Sequence, residues 1–452
     1  MGKKNTEKLG TDKILNLIIR NSIPAILANL VAALYNVVDR IYIGRLGTTE
    51  LTGIGLVFPI MTIFFALEII ISVGSGILVS IKLGEKNKFY AQKILGNAVS
   101  FYCIISILLF IICFLFVDNL MYLCAASEAT FPFAKQYFLL ILPFLFFQFT
   151  SMGLNNIIRA ESNVKTAMAT ILIATITNII LDPIFIFTFK MGVKGAAIAT
   201  DLGMIFSSIF VFYHFRINKD RVLSLHFRDL KLDKNIIFDV FSKGFPQFFM
   251  QIVSSIIIII LNRTLKFYGG DIAIGAMVII NTVFSLVLFV IIGLSQGCQP
   301  VSGYNFGAKN YNRVIEVMKY STLLSLFITI PSFILLEGFT KNIVAIFCKD
   351  TNSELFFLAV KGLRMLMAMV VLLGFNITFI NFFMSIGKAK LSMMLNLTRQ
   401  VFLFIPALII FPKIWGLNGI WNIYPFVDIV IIIITASFFY KEYKNFKKLS
   451  LV

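Results

Sequence analysis

The chain has 452 residues, 59% of them hydrophobic and only 14% charged, with a formal net charge of +18. Soluble globular domains carry about a quarter of their residues as charges, so a soluble enzyme or binding module is excluded. The Lys and Arg residues fall between apolar runs, which makes the positive balance a mark of membrane orientation and gives no reason to expect a nucleic-acid partner.

Apolar runs of about 20 residues, the length that crosses a bilayer as a helix, recur from end to end. They predict twelve helices, at 14–38, 51–81, 92–117, 132–158, 166–188, 194–214, 237–264, 273–300, 314–337, 355–383, 390–411 and 416–439. Met1–Lys13 is polar and the first run is too long for a signal-peptide core, so no cleaved leader is expected.

The first helix carries Pro24, which removes a backbone hydrogen bond and favours a bend. It ends in Asn36–Gly47, reading NVVDRIYIGRLG. Asp39 is an acid inside hydrocarbon, costly by about 3 kcal/mol on insertion scales, and marks a functional site. The plainer alternative pairs it with Arg40 at the interface. The second helix holds Glu68 at mid-depth, where it could face a cavity.

On the fifth helix Asn178 and Asp182 are four residues apart and share a face, with Pro183 next. The sixth brings Thr200, Asp201 and Met204 to the same outer half, judged from the rise per residue. Carboxylates, an amide and a hydroxyl thus meet at similar depth. Oxygen donors without histidine or cysteine suit a proton or a hard cation such as sodium. Repulsion and burial would make Asp39 and Asp182 take up that charge. The alternative is a hydrogen-bonded structural cluster.

The polar stretch 215–236 reads as a cytoplasmic linker between two halves, 14–214 and 237–439. Pro246 opens the seventh helix as Pro24 opens the first. Arg399 and Asp428 fall at equal depth on the last two helices, as expected of a neutralising structural ion pair. Cys103, Cys113, Cys124, Cys298 and Cys348 make no metal spacing, and His214 and His226 fall in one polar loop. Packing or solvation suffices for these, and no cofactor or catalytic metal is expected. Basic residues concentrate in the N-terminus, the even-to-odd connections and the C-terminus, which places both termini in the cytoplasm.

The halves repeat. Ser22-Ile23-Pro24 matches Gly244-Phe245-Pro246 at an offset of 222. Gly84-Glu85-Lys86-Asn87 matches Gly307-Ala308-Lys309-Asn310 at 223, and Gly192-Val193-Lys194-Gly195 matches Gly416-Leu417-Asn418-Gly419 at 224. Ser162–Lys165 matches Gly387–Lys390 at 225. Six helices per half is an even number, so the copies share one orientation. The pattern predicts an all-α polytopic membrane protein whose two six-helix lobes are related by a pseudo-two-fold axis along the membrane normal.

The chain resembles the multidrug and toxic compound extrusion family of transporters, in its bacterial drug-efflux branch. The resemblance runs from Ile14 to Tyr440. It rests on VDRIYIGRLG at Val38–Gly47, GSG at Gly74–Gly76, LGEKN at Leu83–Asn87, RAESNVK at Arg159–Lys165, NIILDP at Asn178–Pro183, GVKGAAIAT at Gly192–Thr200 and SIGKAK at Ser385–Lys390. It implies alternating access and cation antiport. The family's coupling site maps onto Asp39, Asn178, Asp182 and Thr200, with Asn155 and Met204 matching less closely, and its bending proline onto Pro24. Some members carry an acid on the seventh helix; here Ser254 stands about there.

The reading is therefore a proton- or sodium-coupled antiporter in the bacterial plasma membrane, a monomer in the lipid bilayer, exporting organic cations or amphipathic drugs. The 49 phenylalanines and 16 methionines supply soft apolar surface for varied substrates. The rival reading is a lipid-linked saccharide flippase of similar plan, kept open by Arg263, Arg364 and Arg399. A membrane-embedded enzyme would need a catalytic constellation that the sequence lacks.

Overall fold

The computed structural model describes the backbone of residues 2–44, 48–124, 126–348 and 351–450. Within these ranges the side chains of 2–6, 35–41, 43–44, 48–49, 51–52 and 271 lie outside the described residues. The Asp39 side chain and most of the Val38–Gly47 stretch fall in that set.

Among the described residues every regular element is a helix. Eleven helices are long and apolar enough to cross a membrane, and one bent pair makes a twelfth when taken as a single span. The first half contains α1 (Ile14–Gly44), α2 (Thr48–Gly84), α3 (Lys88–Leu115), α4 (Phe131–Ala160), α5 (Val164–Thr188) and α6 (Val193–Arg216). The second contains α7 (Lys234–Gly270), α8 (Ile272–Gly307), α9 (Tyr311–Gly338), α10 (Glu354–Met367 with Val370–Ser385, bent by 52°), α11 (Ala389–Trp415) and α12 (Leu417–Leu449). This is the all-helical polytopic membrane fold that the apolar runs call for. Large apolar side chains face outward along these helices, as with Leu108, Ile111 and Leu115 on α3. Such a surface suits lipid and would not suit water.

Helix boundaries repeat at the sequence offsets. Lys86 and Lys309 both take positive φ, at 59° and 57°, just before Asn87 and Asn310 start α3 and α9. The Asn87 side chain accepts the Tyr90 N–H at 3.0 Å, so the cap satisfies a first-turn donor. Gly192 and Gly416 precede α6 and α12 with φ of 57° and 56°, a conformation open to glycine at no steric cost.

By its contacts the chain forms two compact units, Met1–Thr11 with Leu27–Phe245, and Asp12–Ile26 with Pro246–Val452. These differ from the two sequence halves in one respect: each half lends the start of its first helix to the other unit. In the first unit the start of α7 lies on α2, where a Cβ on Gly244 would come within 1.8 Å of the Ile70 carbonyl oxygen. In the second unit the start of α1 lies on α8, where a Cβ on Gly297 would meet Ser22 Oγ at 2.2 Å. Ser22 Oγ donates to the Leu294 carbonyl at 3.3 Å. Any residue larger than glycine at either place would push the helices apart. Helix α1 remains continuous through the buried Pro24. The second unit's core is built around the fully buried Trp421, packed with Leu363, Ile280 and Phe356.

Candidate functional site

Helices α5 and α6 run antiparallel and touch closely. A Cβ on Gly203 would sit 2.7 Å from the Ala174 carbonyl oxygen, so only glycine permits the approach. One turn away along each helix, that register sets Thr200 of α6 against Asn178 of α5. Asp182 follows Asn178 by one turn on the same face.

These three groups form one network. Asn178 is 2% exposed and Asp182 fully buried. With its amide turned so that both ends are satisfied, Asn178 Nδ2 donates to Asp182 Oδ2 at 2.7 Å. Its Oδ1 then accepts the Thr200 backbone N–H at 3.2 Å and lies 3.1 Å from the Thr200 hydroxyl. That hydroxyl also reaches the Ala196 carbonyl at 3.0 Å. Beyond Asp182, Pro183 offers no N–H, and the chain continues as a wide π turn over Ile184–Thr188. The fifth helix thus loses its regular ladder immediately after its acid.

The site offers a carboxylate, an amide and a hydroxyl, all hard oxygen donors. Among the described residues no three His, Cys, Asp or Glu side chains converge on a metal position. One carboxylate with neutral oxygens suits a proton or a monovalent cation better than a divalent ion, which draws on several carboxylates. Asp39, the fourth expected member, lies outside the described residues.

The other expected residues are distributed differently. Met204 follows Thr200 by one turn and is partly buried. Asp201 is 5% exposed and two turns before Ser208, whose hydroxyl lies 2.7 Å from that of Thr150 on α4. It therefore shares the α4-facing side of α6 and not the side of Thr200, because consecutive helical residues diverge by about 100°. Its Oδ2 has no hydrogen-bond partner among the described residues. Asn155 donates to the Ala167 carbonyl at 2.7 Å and to Thr170 Oγ1 at 2.5 Å. Thr170 lies about 12 Å from Asn178 along α5 at the helical rise, so Asn155 does not join the Asp182 network.

Glu68 is 5% exposed and belongs to a separate polar network with Ser72 and Arg159. There Asn156 Nδ2 donates to Ser72 Oγ at 2.6 Å, and Arg159 Nη2 donates to Asn156 Oδ1 at 2.9 Å.

In the second unit Arg399 lies in a π-helical segment, Thr398–Phe404, and pairs with Asp428. Ser254 Oγ on α7 donates to Gln400 Oε1 at 3.3 Å. Of the other two arginines that kept the flippase reading open, Arg263 is exposed, and Arg364 lies 3.7 Å from Glu337 at an exposed site.

One buried group escaped the sequence reading. His214 does not lie in a polar loop with His226 but on the last turn of α6, fully buried against Glu161 at 2.9 Å. Only His226 is solvated, with 47% of its side chain exposed beside Asp229. The signal was the acid inside RAESNVK, one residue past the end of α4.

The model of the MatE family matches the chain twice, over residues 24–184 and 246–409, which tracks the internal repeat. The multidrug export protein MepA of Staphylococcus aureus is 27% identical over 415 residues, covering 89% of this chain and 88% of its own. MepA of Staphylococcus haemolyticus is 25% identical over 420 residues, covering 91% and 90%. Among solved structures, a MATE transporter in the bent conformation is similar with a TM-score of 0.92, at 25% identity and 99% coverage of both chains. An outward-facing multidrug resistance MATE family transporter is similar at 0.91, with 25% identity and 98% coverage of both.

Proposed function

Because the chain belongs to the multidrug and toxic compound extrusion (MatE) family, we propose that it is an efflux antiporter of the bacterial plasma membrane, exchanging a proton or sodium ion for organic cations or amphipathic drugs. The observation that carries this reading is the buried Asp182–Asn178–Thr200 network. An intramembrane carboxylate hydrogen-bonded to a neutral amide is a place for an exchangeable cation. Asp39 would be the second acid of the same site. The MepA relatives are multidrug export proteins, which agrees with the substrate class.

The chemistry of coupling follows from charge. A cation or proton that enters the site neutralises Asp182, and a cationic substrate then loses its counter-charge. Binding of the two must be mutually weakening, whichever arrives first. Alternating access would let substrate in from the cytoplasm and out on the far side, with α1 bending at Pro24 as the site changes charge. The reading includes cytoplasmic termini and a monomer in the lipid bilayer. The flippase alternative has less support, since Arg399 is paired with Asp428 and Arg364 lies beside Glu337.

The test is dye efflux from vesicles carrying the purified protein, under an imposed proton gradient and then an imposed sodium gradient. One gradient should drive efflux in the wild type and fail in Asp182→Asn and Asp39→Asn. Efflux at the wild-type rate by both variants would make the acids structural and the mechanism wrong.

A further inference from the structure

The polar stretch between the halves is not a loose tether. Residues 217–233 lie on the first unit as a strap, with Val222 4% exposed and Leu223 fully buried. Farther along, Ser100 Oγ on α3 donates to the Leu230 carbonyl at 2.6 Å, and Asn97 Oδ1 accepts the Asp233 N–H at 2.7 Å.

The centre of the fastening is Glu161, fully buried at the end of α4. Its Oε1 accepts the Leu223 backbone N–H at 2.5 Å. Its Oε2 accepts from His214 Nε2 at 2.9 Å and from Asn163 Nδ2 at 3.3 Å. Asn163 Nδ2 also donates to the Asp220 carbonyl of the strap at 3.0 Å.

Hydrogen-bond logic assigns the imidazole. Asn218 Oδ1 accepts the Asp220 N–H at 2.9 Å, so its Nδ2 is the end that faces His214 Nδ1 at 3.3 Å. Nδ1 must then accept, and Nε2 carries the proton given to Glu161. Among the described residues no lysine or arginine pairs with Glu161. A buried carboxylate whose partners are one histidine, one amide and one strap N–H is specific to this arrangement, because losing any of them strands a buried polar group.

We propose that Glu161 is a positioning residue for transport: it pins the strap to the first unit, so that the strap moves with that unit and the flexing point lies beyond it, where the chain changes units at Phe245–Pro246. The pin itself is independent of the efflux reading; only its consequence for transport rests on that reading.

The experiment uses the full-length protein with its five cysteines replaced, reconstituted in vesicles. Ser100→Cys with Leu230→Cys, a strap contact outside the Glu161 network, is joined by a short, reducible thiol cross-linker, which locks the strap down. Locked protein should pump dye at the rate of the unlocked parent. Glu161→Ala should speed tryptic cleavage after Lys219 and Arg221 by about tenfold or more, because a stranded buried donor favours the detached strap. It should lower the turnover of efflux at unchanged dye affinity, and the cross-link should restore the turnover. A general loss of stability would not be repaired by that one link.

The proposal is overturned if locking the strap stops efflux and reductant brings it back. It is equally overturned if Glu161→Ala frees the strap yet pumps at the parent rate, or leaves cleavage unchanged. If Glu161→Ala fails to insert, the locked parent still decides the matter. If the parent itself moves no dye, the efflux reading fails, while the cleavage ratio still tests the pin.

Discussion

Arg399 places two donors on a single oxygen of Asp428: Nε and Nη2 approach Oδ1 at 3.1 and 3.0 Å. Asp428 is 3% exposed, and Tyr424 lies one turn before it on α12, close enough to feel both charges. Two opposite charges inside hydrocarbon are tolerable only together.

Removing one partner therefore costs more than removing both. Arg399→Met or Asp428→Asn alone should destabilise the folded protein by about 3 kcal/mol, since each strands a buried charge. The double variant should recover most of that loss. Thermal unfolding in detergent, read as a double-mutant cycle, checks the sign of the coupling. Strictly additive losses would mean that the two side chains act separately.

Asp182→Asn keeps the size and the hydrogen-bonding reach of the side chain but removes its charge. Coupled efflux should fall by at least about tenfold, the scale of losing one charge-assisted contact of 1.5 kcal/mol or more. Membrane insertion, followed by expression level, should be unchanged. Normal pumping by this variant would remove Asp182 from the coupling site.

Thr200→Val tests the neutral side of the same network. The change deletes the hydroxyl beside Asn178 and leaves the volume, at a cost of about 1 kcal/mol. The coupling ion should bind roughly fivefold more weakly by that figure, with maximal efflux at saturating ion little altered. Titration of efflux against the driving ion separates the two quantities.

Gly203→Leu tests the register that builds the site. Its Cβ would meet the Ala174 carbonyl oxygen at 2.7 Å, and the rest of the side chain has nowhere to go between α5 and α6. Overpacking costs about 1–3 kcal/mol. Ion-dependent efflux should suffer more than expression does, because Thr200 and Asn178 separate first. A variant with intact coupling would show that the helices can part without opening the network.

Much of this was legible in the chain. The spacing of Asn178 and Asp182 puts them on one helical face, and equal depth brings Arg399 to Asp428. Both inferences use only the helical rise and the cost of charge in lipid. The fold class follows from repeated apolar runs, because a bilayer fixes the length that each helix needs. Other features were not legible because they depend on rotation or on distant packing. Thr200 and Asp201 are adjacent in sequence but turn to different neighbours. Asn155 looked like a companion of Asn178 and instead ties α4 to the first turns of α5. His214 and Glu161 sit at helix ends, where polar residues normally meet water; only the strap folded over them takes them out of it. Depth along a helix can be counted from a sequence, whereas what covers a helix end cannot.

The exchanged helix starts also set an order of assembly. The segment 12–26 leaves the ribosome well before the α8 surface on which it rests is made. The first unit, in turn, lacks a piece until residues up to 245 have been synthesised. The first unit has all its residues once the chain reaches 245, whereas the second must hold 12–26 in reserve until its remaining helices are made, so the two units finish in chain order with one early segment left waiting. The start of the first helix must wait in the bilayer, without its final neighbours, until the second half arrives to receive it.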